Sequence, residues 1–188
     1  MIGVKGLNEL MDHVITFRLL KDRCIGNRIG IVSGTAGPTV IAADLSEGLN
    51  LEIPELRAST KERIREFLPV YGSSDRNPVD VSIAAASNIR LYLQAIMALD
   101  ACEEIDIIYF IQSGEWQGNE LATYIINGTS GKLRKPLVVS LIGPPERCSG
   151  AVLSMLEANI PAFFTLEGPL KALSSLNRWA GKVKRAGP

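Results

Sequence analysis

The stretch 28–44 constrains the fold of this chain more than any other, and it reads R-I-G-I-V-S-G-T-A-G-P-T-V-I-A-A-D. It begins with a short apolar run, residues 29–32, whose β-branched side chains are typical of a buried strand. Small or turn-forming residues follow at 33–38, and apolar residues resume after them. Proline is tolerated in the first turn of a helix, so Pro38 marks the expected start of one. The stretch therefore predicts a strand, a glycine-containing turn and a helix.

The predicted turn is a candidate anion site. Gly34 and Gly37 allow a tight turn and the close approach of a ligand to the backbone. The free N–H groups at the start of the helix, together with its dipole, favour an anion there. The candidate phosphate-binding residues are Ser33, Gly34, Thr35, Ala36, Gly37 and Thr39. A plain strand-to-helix turn with small residues for packing explains the pattern equally well, because it matches neither G-x-G-x-x-G nor a Walker motif with its lysine.

The same stretch resembles a segment of the NDP-forming acyl-CoA synthetases, in their second succinyl-CoA-synthetase-like, flavodoxin-like domain. That segment commonly reads G-N-R-V-A-I-V-T-N-A-G-G-P-G-V-L-A-A-D, and the match here runs from Gly26 to Asp44. The departures fall inside the turn, where S-G-T-A replaces T-N-A-G and Thr39 replaces a glycine. A second match is the N-P-V-D tetrapeptide at Asn77–Asp80, and the resemblance extends from about Ile2 to Trp179.

The resemblance implies a mechanism for a larger enzyme, which interconverts acyl-CoA, NDP and phosphate with carboxylate, NTP and CoA. A phosphorylated histidine upstream of this segment carries the phosphoryl group in that family, and the helix starting near Pro38 would face it. The resemblance therefore implies no catalytic residue and no cofactor in this chain, and CoA, ATP or ADP and Mg for the whole enzyme. Its implied partners are phosphate and the CoA-binding and nucleotide-grasp domains. We expect the isolated chain to be inactive.

Five apolar segments alternate with helical patterns along the chain, which predicts an α/β fold with a doubly wound parallel sheet and helices on both faces. The predicted strands are 29–32, 49–53, 105–111, 136–141 and 160–164. The flavodoxin-like strand order 2-1-3-4-5 is what the resemblance implies. We expect a lead-in helix within 1–24, the flavodoxin-like domain at 25–182 and a frayed tail at 183–188.

Further polar residues are expected near the carboxyl edge of the sheet, where open parallel sheets bind ligands. The candidate loop or interface residues are Asn77, Asp80, Ser113, Glu115 and Trp116. Aspartate commonly holds turns by bonding backbone N–H groups, so a loop-holding role is favoured for Asp80 over contact with a ligand. Trp116 fits a ligand lid and an interdomain contact equally well, and a surface left bare at this edge is open to self-association as a homo-oligomer.

Composition excludes several classes of protein. Twenty Lys and Arg residues balance twenty Asp and Glu residues, which argues against nucleic acid or a membrane surface as the main partner. The three cysteines, Cys24, Cys102 and Cys148, lie far apart without metal-ligand spacing, so we predict no metal site and a cytoplasmic location. The only histidine, His13, lies on a predicted amphipathic helix, where a half-exposed side chain without a partner explains it better than acid–base catalysis.

Two alternatives remain from the sequence. One is a flavodoxin-like FMN-binding module, because Thr35 and Thr39 loosely resemble the Ser- and Thr-rich phosphate loops of flavodoxins. Only 6% of the residues are aromatic, however, and Trp116 is the one good candidate for stacking on a flavin. The other alternative is a non-catalytic interaction domain.

Overall fold

A computed structural model describes residues 2–23, 26–113 and 118–186, with the backbone alone for 184–186. Its centre is a parallel sheet of five strands, described in chain order as β1 Ile29–Ser33, β2 Val79–Asp80, β3 Ile107–Ser113, β4 Leu137–Ile142 and β5 Ala162–Phe163. The spatial order is β2-β1-β3-β4-β5, and every neighbouring pair is parallel. The predicted doubly wound sheet with order 2-1-3-4-5 is confirmed.

The described helices pack on both faces of this sheet. They are α1 Leu7–Leu20, α2 Ala36–Glu47, α3 Ala58–Arg65, α4 Arg90–Ala101, α5 Gly118–Thr129, α6 Pro145–Glu157 and α7 Glu167–Ala186, with a 3₁₀ turn at Ile83–Ala86. Side chains alternate across each strand, so Phe110 joins the core beneath α3–α6 while Tyr109 joins the core beneath α1, α2 and α7. Strands buried on both faces read as continuous apolar runs, as β1, β3 and β4 do.

The second strand of the sheet is not the predicted segment 49–53. That segment makes only an isolated parallel bridge, Arg28 with Glu52, and Pro54 follows it closely. The position beside β1 is taken by β2, in which Val79 and Asp80 pair with Val32 and Ser33. The short N-P-V-D segment, whose Asn-Pro favours an extended or turn backbone, serves as the edge strand because long-range pairing, not local apolar length, selects the partner of β1.

Several boundaries also differ from the predictions. β3 begins and ends two residues later than predicted, so Gln112 and Ser113 belong to the strand and not to the loop after it. The pattern Ser59-x-x-Glu62 predicts a capping box at the start of a helix, but α3 already begins at Ala58 with Arg57 as its N-cap. The sequence predicts a helix at 120–126 that is broken at 127–131, whereas α5 extends to Thr129, into that segment. α7 runs to Ala186, so the predicted tail at 183–188 is helical up to that residue.

The prediction for α1 is right in its extent but wrong for its histidine. His13 is buried between α1 and α7, with Nδ1 2.7 Å from the Glu9 carbonyl oxygen and Nε2 3.1 Å from the Ser175 hydroxyl. The apolar residues on the other side of the helix are exposed instead, among them Leu7 and Met11. His13 therefore helps to dock α1 on α7 and is neither half-exposed nor without a partner.

Candidate functional site

The turn between β1 and α2 is tighter than the sequence indicated. Only Gly34 and Thr35 separate strand from helix, because α2 already begins at Ala36. Pro38 lies in the first turn, as expected, but it is the third helical residue and not the first. The turn stands at the carboxyl end of β1, between β2 and β3. This is the point where the strand order reverses, which is where open α/β sheets bind ligands.

Two predicted side chains of the site are turned inward and already bonded. The Ser33 hydroxyl is fully buried and accepts a hydrogen bond from the Thr35 N–H at 3.0 Å. The Thr39 hydroxyl is also buried and donates to the Ala36 carbonyl oxygen at 2.5 Å. These side chains stabilise the turn. The Thr35 N–H, which was predicted to bind the anion, is hydrogen-bonded to Ser33 instead.

The remaining donors of the helix start can be counted. A helix leaves the N–H groups of its N-cap and first three residues without intrahelical partners. At α2 the N-cap Thr35 N–H is taken by Ser33, and Pro38 has no N–H. Ala36 and Gly37 supply the other two, and both residues are exposed to solvent. The first turn of α2 carries no acidic residue that would repel an anion.

The two glycines of the turn have different environments. A Cβ at Gly37 would meet nothing within 4 Å. A Cβ at Gly34 would fall on the Tyr92 hydroxyl and lie 3.2 Å from the Ser82 carbonyl oxygen. The backbone of Gly34 is not in the left-handed region, so glycine is needed there for space and not for its torsion angles.

The N-P-V-D residues hold the backbone beside the turn. The Asn77 amide accepts from the Ile31 N–H at 2.9 Å and donates to the carbonyl oxygens of Ile29 and Pro54. The Asn77 side chain therefore pairs with backbone groups in the middle of β1. It does not reach the carboxyl edge of the sheet, where it was predicted. Asp80 accepts from the Ser82 N–H at 2.8 Å, as the loop-holding interpretation expects.

The end of β3 supplies a residue that the sequence analysis missed. Ser113, a predicted interface residue, is half-buried at the last position of β3, while Glu115 and Trp116 lie outside the described residues. Gln112 is buried, and its side chain lies beside the Tyr92 hydroxyl. Burial raises the pKa of Tyr92 to about 12, opposed by the Gln112 hydrogen bond and aided by the Asp80 charge, so the hydroxyl stays protonated at neutral pH. An isolated glutamine within a strand gives no signal of such a contact.

Exposed apolar side chains lie on the segments around the turn. Val40 and Ile41 are exposed on α2, Tyr71 exposes 87% of its surface before β2, and Ile83 exposes 71% after β2. Gly72 lies close to the Ser82 side chain, which places the Tyr71 segment next to the Ile83 segment. We call these four residues the apolar rim. Large apolar side chains that are exposed near a ligand-binding edge are candidates for an interaction surface.

Other features of the described residues do not extend the site. No group of three or more His, Cys, Asp and Glu side chains among them could hold a metal ion. No helix within these ranges is long and apolar enough to span a bilayer. An apolar groove of about 470 Å³ lies between α1, α6 and β5, along the opposite edge of the sheet from β2.

Comparison with curated proteins extends the argument from fold to family. No protein-family model matches the chain. The chain is 27% identical over 179 residues to ADP-forming acetate–CoA ligase I of Archaeoglobus fulgidus, covering 95% of this chain and 24% of the ligase. It is 30% identical over 162 residues to the α subunit of ADP-forming acetate–CoA ligase I of Pyrococcus furiosus, covering 82% of this chain and 33% of that subunit.

Solved structures show the same fold. The crystal structure of protein PH0766 from Pyrococcus horikoshii OT3 superposes with a TM-score of 0.83 at 22% identity, over 96% of this chain and 41% of that one. The dinucleotide-forming acetyl-coenzyme A synthetase 1 of Candidatus Korarchaeum cryptofilum, in a structure with phosphate and ADP, superposes with a TM-score of 0.81 at 20% identity. That match covers 98% of this chain and 40% of the synthetase chain.

The sheet and its helices define a doubly wound α/β domain with the strand order 2-1-3-4-5. The chain is a homologue of one part of the ADP-forming acyl-CoA synthetases, as the resemblance in its sequence indicated. It spans about a quarter to a third of the length of the curated relatives named above.

Proposed function

We propose that this chain is a phosphate-facing domain of an ADP-forming acyl-CoA synthetase. The whole enzyme would convert acyl-CoA, NDP and phosphate into carboxylate, NTP and CoA, or run the reverse. CoA, ADP or ATP and Mg would bind to that assembly. The contribution of this chain would be the Gly34–Thr39 turn and the start of α2, which would stabilise a phosphoryl group during its transfer.

One observation carries the proposal. The match to the Archaeoglobus fulgidus ligase covers 95% of the chain. Within it, the turn at the switch point presents the N–H groups of two exposed residues, Ala36 and Gly37, and the first turn of α2 has no acidic residue. Backbone N–H groups donate hydrogen bonds to the charged oxygens of a phosphoryl group without transferring a proton to them.

The expected strength of this site explains why a partner is needed. A helix dipole acting on an exposed anion contributes roughly 0.3–1 kcal/mol. That free energy gives only weak binding, so a second group of donors must face the turn in the working enzyme. We propose that another domain supplies it and covers the apolar rim, with Trp116 as a further contact.

The test of anion binding is a phosphate titration of the 188-residue chain followed by amide chemical shifts. We expect the Ala36 and Gly37 amides to move at tens of millimolar phosphate, at constant ionic strength. Movement of other amides alone would show that the turn is only a packing turn.

The test of the interdomain surface is to mix this chain with the remaining domains of the synthetase. We expect a complex that Tyr71→Asp weakens, because the charge would be placed in the apolar rim. Leu153→Asp is the control, since Leu153 is also apolar and exposed, at 58% against 87% for Tyr71, but lines the groove at the other edge of the sheet. Equal binding by both variants would remove the rim from the interface, and Trp116→Ala tests the second contact in the same way.

Activity gives a third test. We expect no ligase turnover and no stable label from γ-labelled ATP on the isolated chain. Incorporation that disappears on replacing His13 would overturn this expectation and move the chemistry to α1.

The FMN-binding alternative has no support from the described residues near the turn, because no aromatic pair there is placed to sandwich a flavin. A yellow preparation with flavin absorbance would revive it.

A further inference from the structure

Beneath the turn lies a tyrosine that no local sequence pattern connects to it. Tyr92 is on α4, exposes 2% of its surface and packs against Phe110 of β3, with ring centroids 5.2 Å apart. Its ring is therefore fixed between a helix and the central strand. Its hydroxyl occupies the space that a side chain of residue 34 would need.

A buried polar side chain lies beside the hydroxyl. Gln112, on the same face of β3 as Phe110, exposes 5% of its surface, and its side chain lies near enough to the Tyr92 hydroxyl to lower the pKa of that group. The Gln112 Oε1 atom has no hydrogen-bond partner among the residues that the structure describes. An apolar residue would fill this position without leaving a buried acceptor unpaired, so packing alone does not account for the amide.

We propose that Tyr92 is a positioning residue for the anion site, with Gln112 holding its hydroxyl. Tyr92 acts through Gly34: it supports the Gly34 peptide from below and so fixes the direction of the Ala36 and Gly37 N–H groups. Position 34 is restricted to glycine because the hydroxyl fills the space of a Cβ. This inference rests on the proposed function of the turn and names the residue that keeps the turn in its binding geometry.

The first test measures phosphate binding with a matched pair of variants. Tyr92→Phe removes only the hydroxyl, and we expect phosphate binding, followed at the Ala36 and Gly37 amides, to weaken about fivefold, the usual size for one lost positioning contact. Tyr109→Phe is the control, because Tyr109 is equally buried on the other face of the sheet and bonds Ser140 at 2.7 Å. It should lose thermal stability while phosphate binding stays unchanged.

The second test is a double-mutant cycle between Gly34 and Tyr92. Gly34→Ala should lower the thermal midpoint and abolish the phosphate response in the wild-type background, because the new Cβ meets the hydroxyl. In the Tyr92→Phe background the contact with the hydroxyl is gone, and the ring carbon and the Ser82 carbonyl oxygen remain, each at 3.2 Å, so the same substitution should cost less stability. An equal cost in both backgrounds would overturn the proposed contact.

The outcomes separate this inference from the proposed function. If the wild-type turn responds to phosphate and Tyr92→Phe responds identically, Tyr92 is not a positioning residue but the anion site stands. If the wild-type turn does not respond at all, the anion site is wrong and this inference is overturned with it.

Discussion

The two ends of β1 are closed in different ways. At the amino end the Asp106 carboxylate receives the Arg28 side chain, with Nη2 to Oδ1 at 2.5 Å and Nε to Oδ2 at 2.9 Å, and also the Arg28 N–H. At the carboxyl end the contacts are between neutral groups, as Ser33 bonds the Thr35 N–H and Tyr92 fills the space beside Gly34. At the amino end the Arg28 donors are thus paired with the charged Asp106 carboxylate. At the carboxyl end the N–H groups of Ala36 and Gly37 remain exposed.

Each end also contains a glycine that a neighbouring side chain crowds. A Cβ at Gly26 would meet the Asp106 carboxylate, which is the partly exposed end of a side chain. A Cβ at Gly34 would meet a hydroxyl whose ring is locked in the core, and a backbone carbonyl as well. The contact at the amino end is with a side chain alone, whereas the contact at the carboxyl end includes the backbone, so we expect the carboxyl end to adjust less.

The largest expected effect tests this difference. Gly34→Val should lower the free energy of unfolding by about 1–3 kcal/mol, the usual cost of overpacking a well-packed site. Gly26→Ala and Gly34→Ala sharpen the comparison, because the first Cβ meets only the Asp106 side chain, whereas the second also meets the Ser82 backbone carbonyl oxygen. Urea denaturation measures all three, and an equal cost of the two alanine variants would contradict the expected difference.

The amino end should depend on pH. The Arg28 hydrogen bond, opposed by partial burial, holds the pKa of Asp106 below its usual range. Its contribution to stability is therefore complete above the unfolded-state pKa of about 4 and is lost as the pH falls through the folded-state pKa. Asp106→Asn should cost about 1–2 kcal/mol at pH 7, since the pair is partly solvent-exposed.

The same variant carries its own control. Below the folded-state pKa of Asp106, the wild type and Asp106→Asn should unfold at the same urea concentration. A difference between them that does not change with pH would mean that the ion pair is not what closes the amino end.

A smaller effect is expected for the hydrogen bond inside the turn. Ser33→Ala should lower the free energy of unfolding by about 1 kcal/mol, because the Thr35 N–H loses its buried acceptor. Ser46→Ala is the comparison, since the Ser46 hydroxyl is equally buried but donates to the Ala42 carbonyl oxygen within α2. That oxygen already accepts the backbone hydrogen bond of the helix, so losing the hydroxyl leaves no group unpaired. A Ser33 variant as stable as the wild type would show that water replaces the hydroxyl.

The smallest effect on stability is expected at Gly37, where a new side chain meets open space. Gly37→Val should change the free energy of unfolding by less than about 1 kcal/mol, as surface substitutions usually do. It should nevertheless abolish the phosphate response of the turn, because the branched side chain covers the exposed N–H groups. A phosphate response equal to that of the wild type would place the anion elsewhere.

Local patterns in the sequence determined the elements around the site. The β-branched run before Ser33, the small residues after it and Pro38 specify strand, turn and helix, because strand propensity and the fixed torsion of proline act within a few residues. The apolar run that became β3 identified a strand covered on both faces for the same kind of reason. The matches at Gly26–Asp44 and Asn77–Asp80 were enough to indicate the family.

Only the tertiary structure decided which of these residues face the solvent and which are bonded inside. The partner of β1 is β2, the acceptor for the Thr35 N–H is Ser33, and the residue that restricts Gly34 is Tyr92. Burial likewise turned His13 into a docking contact between α1 and α7. Pairing and packing between elements select these contacts from many that local propensity allows equally, because their free energy depends on which distant groups meet when the sheet and its helices assemble.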